Sequence, residues 1–320
     1  MLRDAYVDAV KSILILLVVF GHLIEPYSFR PDIESIYKFI YSFHMPLFAF
    51  VSGLLTKQYE SRRDLYHSVL PIVVLLVVFD LIYELVNFLV TGSTSWYLRV
   101  FSPYWLLWYF LSLATWRLVS PVFFRLSFPI TVSVLVSVTF LLVPQIGYPL
   151  SIARTLSFLP FFVGGLVYGR KIISWIKHHN TGKWLIIAVF VLIGIFLIVP
   201  RFDVRMLWGS FSYAQMGYHG PSGIMQKLSV LLISSIGVFS ILMFARYSSL
   251  LITFGVASLS IYVWHGFFIQ IISKAAVNFL QDSPLLLLII IELALSAFIC
   301  WVLSLGLATR VTRSIQKGVR

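Results

Sequence analysis

Asp4-Ala-Tyr-Val-Asp8-Ala-Val-Lys11-Ser-Ile-Leu-Ile-Leu-Leu-Val-Val-Phe20-Gly-His22-Leu-Ile-Glu25 is the stretch that decides how this sequence folds. A bilayer core takes about 20 mostly apolar residues per helix, and the run from about Val7 to Leu23 supplies them. At 100° per residue, Asp4, Asp8, Lys11, His22 and Glu25 fall within an arc of about 100°, while the opposite surface is Ile, Leu, Val and Phe. The segment therefore predicts a membrane-spanning helix that carries one polar stripe along its length. It has no small-residue cleavage site and leads into further apolar runs, so it is not expected to be a removable signal sequence.

The rest of the chain repeats the apolar theme. Of 320 residues, 60% are hydrophobic, 17% aromatic and only 11% charged; a soluble domain carries about a quarter charged residues. Ten spanning runs are predicted, at 6–24, 36–55, 69–90, 103–120, 129–144, 150–169, 183–200, 226–245, 250–272 and 284–309. Pro or polar residues separate most of them. The fourth and fifth could instead be re-entrant. The expected fold class is all-α, a polytopic membrane helix bundle of about ten helices forming a single transmembrane domain over residues 1–320.

The net charge of +12 does not point to nucleic acid, because the basic residues sit in short breaks between apolar runs rather than on one wet face. Counted over alternate loops, sixteen of the 24 Lys and Arg fall on one side, among them Arg3, Arg62, Arg63, Arg170, Lys171, Arg246, Arg310 and Arg320. The poorer side holds Arg30, Lys38, Arg99, Arg154, Arg201, Arg205, Lys227 and Lys274. The positive-inside rule then predicts both termini in the cytoplasm and a multi-pass protein of the cell membrane, in contact with its lipids. The single cysteine, Cys300, excludes a disulfide framework and a thiolate metal site.

Ionisable groups inside a span usually face a cavity or a partner. His22 and Glu25, three residues apart on a helix, are spaced so that the carboxylate can hold one imidazole tautomer and stabilise its cation, as a general base requires. Lys11 lies about 16 Å down the same face, too far to touch His22 but placed for an anionic donor entering from the cytoplasm. The same stripe has a second reading, in which Lys11 pairs with Asp8 and His22 makes an interhelical hydrogen bond. The second run contains His44 with Pro46 behind it. The third aligns Asp80, Tyr83, Glu84 and Asn87; the ninth aligns Ser258, Tyr262 and His265. Arg154 lies early in the sixth run and Glu292 inside the tenth. Each of these suits either chemistry or a satisfied hydrogen bond between helices, and His22, His44 and His265 are candidates to converge.

No HxxxH pair is present, and Glu25 is the only carboxylate at helical spacing from His22, His44 or His265, which does not support a zinc site; no nucleophile elbow, phosphate-binding loop or dinucleotide fingerprint is present. Gly165 and Gly169 suit close helix packing. The loop at about 201–225 is rich in aromatic and small residues (Trp208, Phe211, Tyr213, Tyr218, His219). It reads either as a sugar-stacking surface or as an interfacial segment with its rings at headgroup level.

Five ordered patches carry a resemblance that spans essentially the whole chain. Asp8 to His22 is similar to the first helix of the acyltransferase-3 family of integral membrane proteins, closest to its fucose 4-O-acetylase-like branch. Phe43-His44-Met45-Pro46-Leu-Phe-Ala-Phe-Val-Ser52-Gly53, Trp105 to Leu111, Phe158 to Gly165 and Ser258-Leu-Ser-Ile-Tyr262-Val-Trp-His265-Gly resemble later family signatures. The family's first-helix motif pairs a basic residue, commonly Arg, with a His after ten intervening positions. Lys11 and His22 have that spacing, though Lys lacks bidentate geometry.

The resemblance implies an acyl-CoA-dependent O-acyltransferase with no bound cofactor and no metal. Acetyl-CoA would be its co-substrate, and a hydroxyl of an extracytoplasmic glycan or lipid-linked sugar its acceptor. His22 and Glu25 are then the catalytic pair, and Lys11, Arg170 and Lys171 face the donor. His44, Tyr262, His265 and Arg154 are candidates for holding the acceptor or the oxyanion. The rival expectation is a transporter of a sugar or lipid-linked intermediate that uses the same His/Asp/Glu face as a proton relay.

Overall fold

The computed structural model describes residues 4–178, 182–245 and 252–318, with 273–275 described as backbone only. Arg3, Arg246, Arg320, residues 250–251 and the side chain of Lys274, which entered the topology reading, lie outside the described residues. The first helix, α1 (Ala5–Ile24), starts at an N-cap: the Asp4 carboxylate accepts a hydrogen bond from the Tyr6 N–H at 3.0 Å. Pro26 turns its far end into a single 3₁₀ turn, Glu25–Tyr27. Glu25 thus caps the helix, rather than continuing it, and keeps its place three residues beyond His22.

The remaining helices are α2 (Pro31–Tyr41), α3 (His44–Leu55), α4 (Arg62–Thr91), α5 (Trp96–Arg99), α6 (Trp108–Phe123), α7 (Pro129–Thr139), α8 (Ile152–His178), α9 (Gly182–Ile198), α10 (Val204–Trp208), α11 (Tyr213–Met216), α12 (Pro221–Ala245), α13 (Ile252–Val256), α14 (Ser258–Leu280), α15 (Leu285–Ser304) and α16 (Gly306–Lys317). Among the described residues, eight helical segments are long and apolar enough to cross a membrane. Two shorter apolar helices, Pro129–Leu142 and Ser258–Ile272, take the places of the fifth and ninth predicted runs.

Three predicted runs are broken, the ninth at Ala257 between α13 and α14. The second divides into α2 and α3 at Ser42-Phe43. Pro46 has no N–H for the Ser42 carbonyl, and its ring crowds that carbonyl; the Ser42 hydroxyl instead turns back onto the Phe39 carbonyl at 2.7 Å. The tenth run ends at Ser304, where Leu305 adopts extended backbone, and the following residues form the separate, strongly amphipathic basic helix α16.

The chain forms two compact units. The first comprises residues 1–48, 173–203 and 232–312. Its centre is α1, which packs against α13, α14, α15 and α2, with Leu14, Ile15, Val19 and Ile24 fully buried. Lipid tails are as apolar as leucine, so helices in a bilayer are held by close packing and hydrogen bonds rather than by the hydrophobic effect. Close approach is visible here: a Cβ at Gly255 would overlap the Asp8 carbonyl oxygen, and the Gly255 N–H donates to Ser12 Oγ at 2.7 Å. Ser296 Oγ donates to the Leu16 carbonyl at 3.0 Å.

The second unit comprises residues 49–172, 204–231 and 313–320. Its helices cross at glycines: a Cβ at Gly53 would overlap the Phe162 carbonyl oxygen, and one at Gly165 the Phe50 carbonyl oxygen. Gly165 and Gly169 therefore serve packing. The polar face of α4 holds the following loop, since Asp80 accepts from the Tyr104 N–H at 2.7 Å, Glu84 accepts from Ser95, and Asn87 donates to the Ser93 carbonyl at 2.9 Å.

Candidate active site

The polar stripe of α1 resolves into separate pairs. At its start, Asp4 binds Lys177 Nζ at 2.7 Å, and Asp8 binds Lys11 Nζ at 2.6 Å. At its far end, His22 Nδ1 lies 3.0 Å from Glu25 Oε2. A carboxylate against Nδ1 makes that nitrogen the N–H donor and leaves the lone pair on Nε2. Charge-assisted hydrogen bonds of this kind contribute about 1.5–3 kcal/mol and grow stronger when the ring gains a second proton.

Two other elements of the same unit bring rings to His22. Tyr41, on α2, presents its edge at 6.4 Å between centroids, with its hydroxyl 3.5 Å from His22 Nδ1. It also packs edge-on against His44 at 4.5 Å and stacks on Tyr37 at 4.0 Å. His265, on α14, lies 5.7 Å from the His22 ring, tilted by 31°, with Tyr262 at 6.0 Å beyond it. The three histidines thus converge within the first unit, as their positions in the sequence allowed.

His44 and His265 have defined tautomers. His44 Nδ1–H donates to the Ile40 carbonyl at 2.9 Å. His265 Nδ1–H is shared between the Ile261 and Tyr262 carbonyls at 3.0 and 2.7 Å. Both are turn carbonyls three or four residues back along the ring's own helix. Each neutral ring therefore presents Nε2 as an acceptor, and that of His265 is buried and makes no hydrogen bond among the described residues. In these tautomers neither ring can donate to an oxyanion. A hydroxyl close to His22 is that of Tyr41, 3.5 Å from its Nδ1.

The first unit is braced around this cluster. Tyr27, two residues past Glu25, donates to Glu292 Oε1 at 3.0 Å, which gives the buried carboxylate of the tenth predicted run its partner. Arg30 reaches the Gln281 and Ser283 carbonyls at 3.0 and 2.8 Å and pairs with Asp32. Among the described residues, no group of three or more His, Cys, Asp or Glu is placed to hold a metal ion.

The other candidates fall in the second unit. Arg170 and Lys171 are exposed on α8. Arg154, near the start of α8, packs its guanidinium over Trp108 and Tyr148, each 5.1 Å away. Its Nε donates to Ser210 Oγ at 2.6 Å. The aromatic loop is largely folded in: Tyr213 is buried and donates to the Val138 carbonyl at 3.0 Å, and its burial pushes the phenol above its ordinary range. Tyr213 is thus a packing residue, while His219 stays exposed.

Sequence reasoning missed Tyr41 and Arg117. Tyr41 stands three residues before His44, a spacing that places both on one side of the chain, but a tyrosine in an aromatic-rich helix carries no signal of its own. Arg117, counted only as a topology charge, reaches the Ser68 carbonyl at 2.7 Å with Nη1 and buries an Nε that has no partner among the described residues.

Fold and site together define a multi-pass helical membrane protein with a histidine–carboxylate pair at the end of its first helix. The profile of the acyltransferase-3 family, described as an acyltransferase domain, matches residues 4–305, so the chain belongs to that family. It is similar to the nodulation protein NolL of Mesorhizobium japonicum, 28% identical over 230 residues that make up 66% of this chain and 58% of that protein. It is also similar to the nodulation protein NolL of Sinorhizobium fredii, 47% identical over 57 residues, 17% of this chain and 16% of that one. The chain thus spans less than two thirds of the length of these relatives. No solved structure matches it.

Proposed function

We propose that this acyltransferase moves an acyl group, acetyl in the first instance, from cytoplasmic acyl-CoA to a hydroxyl of an extracytoplasmic glycan or lipid-linked sugar at the cell membrane. The observation that supports this reading most is the 3.0 Å contact between His22 Nδ1 and Glu25. It aims the basic Nε2 of His22 away from its carboxylate partner. In the proposed reaction Nε2 takes the proton of the acceptor hydroxyl as the oxygen attacks the thioester carbonyl. The C–S bond breaks, and the departing thiolate takes the proton back from the imidazolium. Glu25 stabilises the cation in between. The variant route, in which Nε2 itself accepts the acyl group and passes it on, uses the same lone pair.

Lys11, Arg170 and Lys171 are proposed to attract the donor phosphates. Tyr41 and Tyr262 offer hydroxyl donors for the developing oxyanion. Nε2 of His265 and of His44, as acceptors, suit the positioning of the sugar hydroxyl, and Arg154 is proposed as a further acceptor-binding residue. Labelled acetyl-CoA turned over by purified protein, with loss of turnover in His22→Ala, tests the reading and separates it from transport. A variant that inserts normally and still transfers acetyl would overturn it.

A further inference from the structure

We infer that Arg154 and the rings around it form a subsite for an anionic group on the acceptor saccharide, a phosphate ester or a uronate carboxylate. This rests on the proposed sugar acylation and adds the charge class of the acceptor.

Arg154 is held unlike the arginines that brace the fold. Arg30 spends its nitrogens on a carboxylate and two carbonyls, and Arg205 reaches the Gln215 and Met216 carbonyls. Arg154 uses only Nε, on Ser210. Among the described residues its two terminal nitrogens make no hydrogen bond and its charge has no carboxylate partner. Trp108 and Tyr148 each lie against the guanidinium, 5.1 Å from its carbon to the ring centroid. Such ring faces attract the cation without neutralising it. A planar fork with both outer nitrogens available is the geometry that binds carboxylate or phosphate in bidentate fashion. The aromatic wall lowers the local dielectric, which strengthens that attraction.

The backbone around the group points the same way. Leu150 and Ser151, just before α8, have φ of 49° and 52°, and Trp105, just before α6, has 35°. Side-chain-bearing residues rarely adopt such angles, and they persist where the surrounding structure holds something in place. The Leu150 N–H donates to the carbonyl of Phe101, itself at φ 52°, at 2.9 Å. The strained loops that carry Arg154 and Trp108 are therefore tied to each other.

The test uses the full chain in phosphatidylcholine nanodiscs. Equilibrium binding is measured for a glucuronate-containing disaccharide, glucose 1-phosphate, an uncharged disaccharide and inorganic phosphate. The charged sugars are expected to bind about 10- to 100-fold more tightly than the uncharged one, the worth of one charge-assisted contact. In Arg154→Gln that preference should vanish, with affinity for the uncharged sugar unchanged. Arg154→Lys, which keeps the charge but not the fork, should lose about tenfold of it, and carries the test if the glutamine variant does not fold. Equal binding of charged and uncharged sugars, or a preference that survives these substitutions, overturns the inference. If phosphatidylglycerol in the nanodisc competes through Arg154 while charged sugars bind no better than inorganic phosphate, the site is a lipid headgroup site and the saccharide assignment falls. His22→Ala should retain the preference. If that variant still transfers acetyl, the catalytic reading fails while the Arg154 subsite stands.

Discussion

His22 and His265 lie 243 residues apart in the chain, yet their rings sit 5.7 Å apart at a 31° tilt, each with its Nδ1 already committed, to Glu25 in one case and to turn carbonyls in the other. The two imidazoles consequently share a tautomer, with the proton on Nδ1 and the lone pair on Nε2. Only His22 has a carboxylate behind it. That asymmetry is the reason proton removal is proposed for His22 and an accepting, positioning role for His265.

Replacing His22 by Ala should lower acyl transfer by about 10²- to 10⁴-fold, the usual contribution of a positioned base. Glu25→Gln should keep the ring roughly in place but lose the stabilisation of its cation. It is expected to lower kcat, with the donor KM little changed. Steady-state transfer of labelled acetyl, normalised to folded protein, checks both.

The Asp8–Lys11 pair separates a structural role from donor binding. Lys11→Met removes the ammonium from its ion pair with the buried Asp8 carboxylate and should destabilise the protein by about 3 kcal/mol. In the double variant Asp8→Asn, Lys11→Met most of that loss should be recovered, whereas a raised acyl-CoA KM should not. Thermal unfolding in detergent, set beside donor titrations, gives the two readouts. Recovery of both together would make Lys11 a purely structural residue.

Tyr41→Phe removes the hydroxyl 3.5 Å from His22 Nδ1 but keeps the edge contacts with His22 and His44. A loss of about 2- to 10-fold in kcat is expected, the worth of a neutral hydrogen bond, with no change in unfolding temperature. An unaltered rate would show that the tyrosine only packs.

At Gly255 a methyl group would meet the Asp8 carbonyl oxygen and crowd Ser12 Oγ. Gly255→Ala should therefore push α13 away from α1 and destabilise the first unit by about 1–3 kcal/mol, lowering the yield of folded protein. Gly194→Ala, at a position with nothing within 4 Å of the added carbon, is the control and should be neutral.

Much of the site could be read along single helices. The His22–Glu25 contact follows from a spacing of three, and the Asp8–Lys11 pair was the plainer of two readings of the same stripe. The second run stands as one apolar span, Pro31–Leu55, and Pro46, legible in the sequence as a helix breaker, interrupts its backbone hydrogen bonds one turn upstream. The end of the tenth was not legible, since Leu305 is as apolar as its neighbours and the break there lies in its backbone dihedrals. The face of α4 that carries Asp80, Glu84 and Asn87 looked equally suited to chemistry or to bonding, and its partners turned out to be the loop that follows it.

By itself, then, the sequence determined a helical membrane protein of this family, the polar stripe on its first helix, and the pairs that form within one or two turns. These depend on the 100° step of the helix, which composition and spacing reveal directly. The tertiary structure alone decided that His265 and Tyr41 stand beside His22, that Tyr213 is buried, and that Arg154 packs on both Trp108 and Tyr148. Those neighbours are set by which helices approach at which glycines and by where the backbone turns, and no periodicity within a single segment encodes a partner on another one.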